Sequence, residues 1–352
     1  MSNIIHERPG VYSSYDASSI IRGGRAARVI GVAARSSAGQ ANVPVTLTSY
    51  EAGLTAFGED GAESPGMSTL LRLLFLAGAS TVVAAAVEGT DYASAFAALN
   101  RVEDIRVVVC DSGELTAQKA MLASLEEASA ARRERIGVAG MAGASAEELI
   151  ARARELNSER MVLVGPDVLD SQGRALTGVF AAGAVAGAAA AAGDPAAPLN
   201  GTALRGLGGV QVQYSDNDID LLVRGGVTPL ECVGGVVSPV RGITTRTTTG
   251  GVQDSTWREL TTILIVDDVI PSVRSSLRSR FSRAKNTQQT RGAVRSQVIV
   301  ELENKLRAQI IDSYGEVTVS VDGEDPTVCL VEFSFAVAHG LNQIYLTAHI
   351  TI

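Results

Sequence analysis

The stretch AAGAVAGAAAAAGDPAAPLNG, residues 181–201, is built almost wholly from alanine and glycine and carries no charge before Asp194. Two environments suit such a run: a bilayer, or a protein interior where a helix lies very close to its neighbours. From Ala175 to Gly193 the run is just long enough to span a membrane, which takes about 20 apolar residues. Ala and Gly, however, gain little from lipid compared with Leu, Ile or Phe, and no basic or aromatic belt flanks the run. Gly183 and Gly187 have the GxxxG spacing that marks a dimer face in a membrane helix. In a soluble protein the same small residues let a helix lie close to a sheet. The second reading is favoured, with no membrane insertion. The helix ends at Asp194-Pro195, because proline disfavours helical geometry in the residue before it.

Upstream of this helix the chain alternates regularly. Apolar, β-branched runs at STVVAAAV (80–87), IRVVVC (105–110), IGVAGM (136–141) and RMVLVG (160–165) read as strands. Helical patterns separate them at 91–100, 115–134 and 145–157, the last opened by Ser145 and Glu148 at capping-box spacing. Strands that are apolar on both faces and separated by single helices imply a parallel sheet covered by helices. A strand at 27–34 and a helix at 66–78 extend the same layering. After Gly201 the texture turns to Gly- and Thr-rich loops and edge strands. Two helices follow, near 268–283 and 291–311, with Asp267-Asp268 read as capping acids for the first. Then come a strand, a turn at Asp322-Gly323, a second strand, and a last strand running to residue 352. The fold class is therefore α/β, a layered parallel-sheet core followed by an α+β C-terminal domain.

Composition narrows the function. The net charge is −8 over 352 residues, which argues against a general nucleic-acid binder. Cys110, Cys232 and Cys329 are odd in number and widely spaced, so neither a disulfide framework nor a zinc site is suggested. The N-terminus has no basic region followed by an apolar one, so no secretory signal is expected. His6, His339 and His349 lack HExxH or H-x-H context, and neither GxSxG, GxGxxG nor a P-loop occurs. No catalytic residue, cofactor or metal is expected. The rival reading is a soluble α/β enzyme with its site at the C-terminal edge of the sheet.

One charge pattern departs from an ordinary solvated helix face. Between Asp268 and Glu301 there is no acid, but Arg274, Arg278, Arg280, Arg283, Lys285, Arg291 and Arg295 occur. Such a block in an acidic chain suits an acidic protein partner. With one aromatic, Phe281, in the run, single-stranded nucleic acid is disfavoured. Arg274, Arg278 and Lys285 fall within about one face of a helix at 3.6 residues per turn.

Taken in order, ERPGVY (7–12), VIGVAA (29–34), FG (57–58), the alanine helix with PLNG (198–201), LLVRGGVTPL (221–230), VRGITT (240–245), WRELTTILIVDDV (257–269), the basic segment from Arg280 to Val298 and the terminal GLNQIYLTAHITI form a distinctive series. The chain resembles the sheath proteins of contractile phage tails and phage-tail-like bacteriocins. That resemblance implies a core with subtilisin-like layering but no protease, and four segments: an arm and linker at 1–24, a core at 25–250, a C-terminal domain at 251–342 and a terminal arm strand at 343–352. VVAAAVEG passes directly into DYASAFAALN, leaving no room there for the surface insertions of larger sheaths.

The resemblance also implies a function. Subunits would stack as hexameric rings around an inner tail tube, between baseplate and terminator proteins, and contract to drive the tube through a target envelope. Assembly would take place in the cytoplasm of the producing bacterium. The energy would be the difference between two packings of the same subunits. Arg274, Arg278, Arg283 and Lys285 are then the candidate tube contacts. The resemblance suggests that Arg8, Pro9, Gly10, Val11 and Tyr12 at one end, and Ile344, Tyr345, Leu346, Thr347, Ala348, His349 and Ile350 at the other, add as strands to neighbours' sheets. Gly23-Gly24 would be the hinge. A passive filament is the third possibility.

Overall fold

The computed structural model of the chain describes residues 28–61 and 64–342. The N-terminal arm residues Arg8 to Tyr12, the Gly23-Gly24 hinge and the terminal strand from Ile344 to Ile350 therefore lie outside the described residues. The described chain divides into two compact units. The larger holds residues 28–193, 197–261 and 340–342, and the smaller holds 194–196 and 262–339.

In the larger unit the elements run β1 (Val29–Ala34), β2 (Val45–Leu47), α1 (Tyr50–Phe57), α2 (Met67–Leu76), β3 (Val82–Ala86), α3 (Tyr92–Leu99), β4 (Ile105–Cys110), α4 (Leu115–Ala130), β5 (Ile136–Gly140), α5 (Ala146–Leu156) and β6 (Met161–Gly165). They continue through β7 (Val168–Asp170), β8 (Ala175–Leu176), α6 (Gly178–Ala191), β9 (Leu207–Val210), α7 (Asp216–Arg224), β10 (Val227–Val233), β11 (Val236–Pro239), β12 (Thr248–Thr249) and β13 (Val252–Gln253).

Eight strands form one sheet in the order β11-β10-β6-β5-β4-β1-β3-β2. The six inner strands are parallel and the two edge strands antiparallel. The apolar runs are buried on both faces for a simple reason. Alternate residues such as Ala33, Val108, Cys110, Ala139 and Leu163 pack into a core with Phe96, Met121, Leu125 and Leu149 of α3, α4 and α5. α2 and α6 pack together, and α6 also lies against β4, β5 and β6. The expected layered parallel sheet is present.

Its capping is as local as the sequence implied. Ser145 accepts from Glu148 N while the Glu148 side chain accepts from Ser145 N, a complete capping box. Ser215 and Asp218 make a second one on α7, a helix the pattern reading passed over.

The alanine helix is α6, and every residue from Gly178 to Ala189 is buried. Among the described residues no helix is long and apolar enough to cross a membrane. The GxxxG face meets α2, not the sheet as expected. A methyl added at Gly183 would stand 2.7 Å from Leu70 Cδ2, and one at Gly187 would stand 2.6 Å from Ala77 Cβ. The close approach to the sheet is made instead by the first residue of α6, where a Cβ on Gly140 would lie 2.0 Å from the Gly178 carbonyl oxygen.

The smaller unit is built on α8 (Leu260–Phe281), α9 (Gln288–Arg307), β14 (Ile311–Tyr314), β15 (Thr318–Val321), β16 (Cys329–Glu332) and β17 (Phe335–Val337). α8 starts well before residue 268, so Asp267 and Asp268 are not caps but mid-helix residues. Asp268 is buried, and its Oδ2 lies 3.3 Å from Lys305 Nζ of α9. Its charge is met by a side chain 37 residues away. Ile265, Val269, Val273 and Leu277 of α8 close a core with Val294, Val298 and Leu302 of α9 and with Ile311, Val317, Phe335 and Val337 of the strands.

Those strands form one long antiparallel ribbon: β14 pairs with β17 and β15 with β16. Gly315 N bridges the junction, donating to Ser334 O at 2.7 Å. The turn expected at Asp322-Gly323 opens a longer loop, residues 322–328. There Asp322 N donates to Val328 O at 3.1 Å, and Asp322 Oδ1 accepts from Glu324 N and Asp325 N.

Candidate assembly surfaces

The basic run does not occupy one helix face. Arg274 and Arg278 are on α8, which ends at Phe281, whereas Arg283 and Lys285 stand in the connection to α9. The expected alignment of Lys285 with Arg274 fails because the helix stops a turn too early. Arg274 is half-buried, while Arg278, Arg280, Arg283 and Lys285 are exposed. Among the described residues no carboxylate is in ion-pair reach of these four. The last two basic residues are anchored. Arg291 donates to Asn286 Oδ1 at 3.0 Å, and Arg295 Nε donates to Val317 O at 2.7 Å with Glu316 3.7 Å away. Asn286 also donates to Pro326 O at 2.8 Å. The cationic connection therefore adjoins the acidic ribbon loop of Asp322, Glu324 and Asp325, a neighbour not visible in the sequence.

The ribbon is the second surface. It packs one face on α9 through Val317, Phe335 and Val337. Among the described residues β15 and β14 each pair on one side only, as do β16 and β17. Among the described residues neither outer edge has a strand beside it. A two-stranded ribbon is marginal alone, and such an edge is a template for another strand. Beside β15 runs a groove of 350 Å³ lined by Gln288, Arg291, Gly292 and Arg295 of α9 and by Val319, Ser320 and Val321.

The C-terminal edge of the large sheet, where an α/β enzyme would hold its ligand, is arranged differently. The strand order reverses at β1, between β3 and β4. There Asp111, fully buried, accepts from Tyr92 Oη at 2.6 Å and from Arg35 Nε at 2.8 Å. Burial, then Asp111, pushes the Tyr92 hydroxyl above its ordinary range, and the bond to Asp111 raises Arg35. Burial pushes the Cys110 thiol up to about 12, so it stays a neutral thiol at pH 7 and not a nucleophile.

Two helix N-termini of this unit are filled from within. Asp60 accepts from Gly66 N, Ser68 N and Thr69 N at the start of α2. Asp167 accepts from Gly178 N at 2.7 Å at the start of α6 and from Gly143 N at 2.9 Å. The positions that would cradle a phosphate hold the protein's own carboxylates. Among the described residues no group of three or more His, Cys, Asp or Glu is placed to hold a metal.

Comparison with known proteins points the same way. Residues 85–245 match the family model for the phage tail sheath protein central domain, and residues 252–351 match the phage tail sheath C-terminal domain. The tail sheath protein of Bacillus phage SP01 is 31% identical over 253 residues, 70% of this chain. The match spans only 43% of that longer protein.

Among solved structures, the helical sheath of the anti-feeding prophage in its contracted state superposes with a TM-score of 0.73 at 18% identity, covering 98% of this chain and 99% of that one. The sheath tail protein from Desulfitobacterium hafniense gives 0.71 at 13% identity, covering 93% and 100%. The contracted sheath of an extracellular contractile injection system gives 0.70 at 13% identity over 99% of both chains. At these identities the superpositions speak for the fold. The matched proteins are structural components of tails, not enzymes.

Proposed function

Because the chain belongs to the phage tail sheath family, we propose that it is a structural subunit that polymerises around an inner tail tube and drives the tube forward by contracting. The observation that carries this reading is the open-edged ribbon of the smaller unit. A strand from a second copy satisfies each edge by main-chain bonds, which need no particular side chain. Residues 8–12 and 344–350 are the donor strands in this reading, with Gly23-Gly24 as the hinge. A donor that reaches into the next copy makes a head-to-tail contact, and such contacts propagate as an open helix of stacked rings. The larger unit, with Asp60 and Asp167 filling the starts of α2 and α6, is the block that these links join.

The exposed cations Arg278, Arg283 and Lys285, with Arg274 behind them, face the tube and pair there with acidic groups. Individually such pairs contribute under about 1 kcal/mol, so many copies hold the tube together while each contact releases easily. Baseplate and terminator proteins close the two ends, and the subunits assemble in the cytoplasm of the producing cell. The finished sheath is part of a phage tail or tail-like particle.

Deleting residues 1–20, or 343–352, is expected to leave a soluble chain with unchanged far-UV circular dichroism that forms no tubes in negative-stain micrographs. Intact contractile sheath from either deletion overturns the arm mechanism. Replacing Arg278, Arg283 and Lys285 by Glu is expected to abolish assembly around tube while the fold persists. Normal extended tails from that variant remove the tube assignment.

A further inference from the structure

The groove between α9 and β15 has the chemistry of a small-molecule site. Its α9 wall is formed by Gln288, Arg291, Gly292 and Arg295, which are three or four residues apart and therefore share one helix face. The opposite wall is Val319, Ser320 and Val321. Its volume, 350 Å³, lies within the range of small-molecule clefts.

The charge on the α9 wall is out of place for the start of a helix. The first turns of a helix favour acids, yet α9 has none in its first turn and none before Glu301. It carries Arg291 and Arg295 there instead. A guanidinium has five N–H donors, and each of these two is tethered through one of them. Arg291 is held by Asn286 Oδ1, and Arg295 by the Val317 carbonyl. Among the described residues the one carboxylate in ion-pair reach of either is the exposed Glu316, 3.7 Å from Arg295. The tethers thus fix two forks a helical turn apart and leave most of their donors unused. Binding to groups already held in place loses little entropy.

The ligand follows from the two walls together. Paired guanidiniums recognise phosphate oxygens bidentately, and a phosphate monoester carries close to two negative charges at pH 7. Gln288 and Ser320 add an amide and a hydroxyl, while Val319 and Val321 offer an apolar surface to an organic substituent. We propose that the groove binds a small phosphate ester, with its phosphate on Arg291 and Arg295 and its organic group along Val319 and Val321. This site goes beyond the assembly reading and is measured on the free subunit.

The test is calorimetric titration of the full-length chain, below the concentration at which tubes form and at constant ionic strength. Phenyl phosphate is expected to bind saturably. Inorganic phosphate is expected to bind several-fold more weakly, because nothing then lies on the valines. Replacing both arginines, Arg291→Gln with Arg295→Gln, removes charged hydrogen bonds and is expected to weaken phenyl phosphate binding about tenfold or more.

Should that pair of changes unfold the chain, Gly292→Leu gives the readout with both arginines in place. A Cβ at Gly292 meets nothing within 4 Å, so leucine is accommodated and extends from the groove wall into its space. Binding is expected to be lost. No saturable binding to wild type overturns the site, as does binding that either variant leaves unchanged in a folded chain. Phenyl phosphate that binds no more tightly than inorganic phosphate overturns the ester and its seat on the valines.

Discussion

The β11 edge of the large sheet and the ribbon of the smaller unit treat their own backbone in opposite ways. In the larger unit the short edge strand β11 is covered by its own chain, Leu204 N donating to Val237 O at 2.8 Å and Gly201 N to Pro239 O at 2.9 Å. Asp60 and Asp167 fill the starts of α2 and α6. The smaller unit puts comparable care into its helix pair, yet leaves a ribbon paired on one side per strand. Natural proteins shield open edges because these recruit other chains. A chain that shields one set and presents another is specifying where it is to be joined.

The same chemical change should have opposite signs in the two regions. Gly140→Ala puts a methyl 2.0 Å from the Gly178 carbonyl oxygen, and neither backbone can retreat. We expect a loss of at least about 3 kcal/mol, read as a fall in the denaturant midpoint of the larger unit. A wild-type midpoint would break the claim that the first residue of α6 lies hard against the sheet at Gly140.

In the smaller unit the largest effect is expected at the buried pair. Lys305→Ala removes the ammonium that lies 3.3 Å from the buried Asp268 carboxylate and is expected to cost about 3 kcal/mol. Replacing both by apolar residues of similar size should recover most of that loss. If the double variant is no better than the single, Asp268 owes its burial to other partners.

Gly292→Ala sharpens the contrast from the other side. Gly292 lies within α9, and an added Cβ there meets nothing within 4 Å. Alanine in place of a helical glycine should stabilise by roughly 0.5–1 kcal/mol. A loss of stability would mean that this wall is packed more tightly than it looks.

The smallest effect is electrostatic and lies in the larger unit. Hydrogen bonds from Thr256, then Thr249, hold the Asp254 carboxyl at about 2, below its ordinary 3.8. A depressed acid contributes stability that is complete above the ordinary value and disappears as pH falls through the lowered one. Wild type should therefore lose thermal stability faster than Asp254→Asn between about pH 4 and pH 2. Parallel curves would dismiss the contribution.

How far the sequence could be read follows the range of the interactions. β3 to β6 and the helices between them were legible because their signals are local: β-branched runs, helical spacing, and Ser145 with Glu148 at a fixed offset. The alanine run announced a buried helix, but which neighbour the GxxxG face meets depends on α2, more than a hundred residues upstream. Asp267-Asp268 misled for the same reason, since two acids before an amphipathic stretch look like a cap unless Lys305 is known to face Asp268. The basic block was plain in composition. Its division between a helix and a connection was not, because no glycine or proline marks the end of α8 at Phe281. Nothing in the linear chain gave the groove, which requires α9 and β15 side by side.

The alanine content of α6 has a mechanical consequence. Alanine and glycine side chains have no rotamers to exchange, so this central helix meets α2 and the strands mostly through atoms fixed to its backbone. Close-packed interiors compress little and pass strain on. A layer held in that way behaves under load as a stiff plate. In an assembly that shortens, work done at one face of such a plate is delivered at the opposite face and is not dissipated as side chains repack within it.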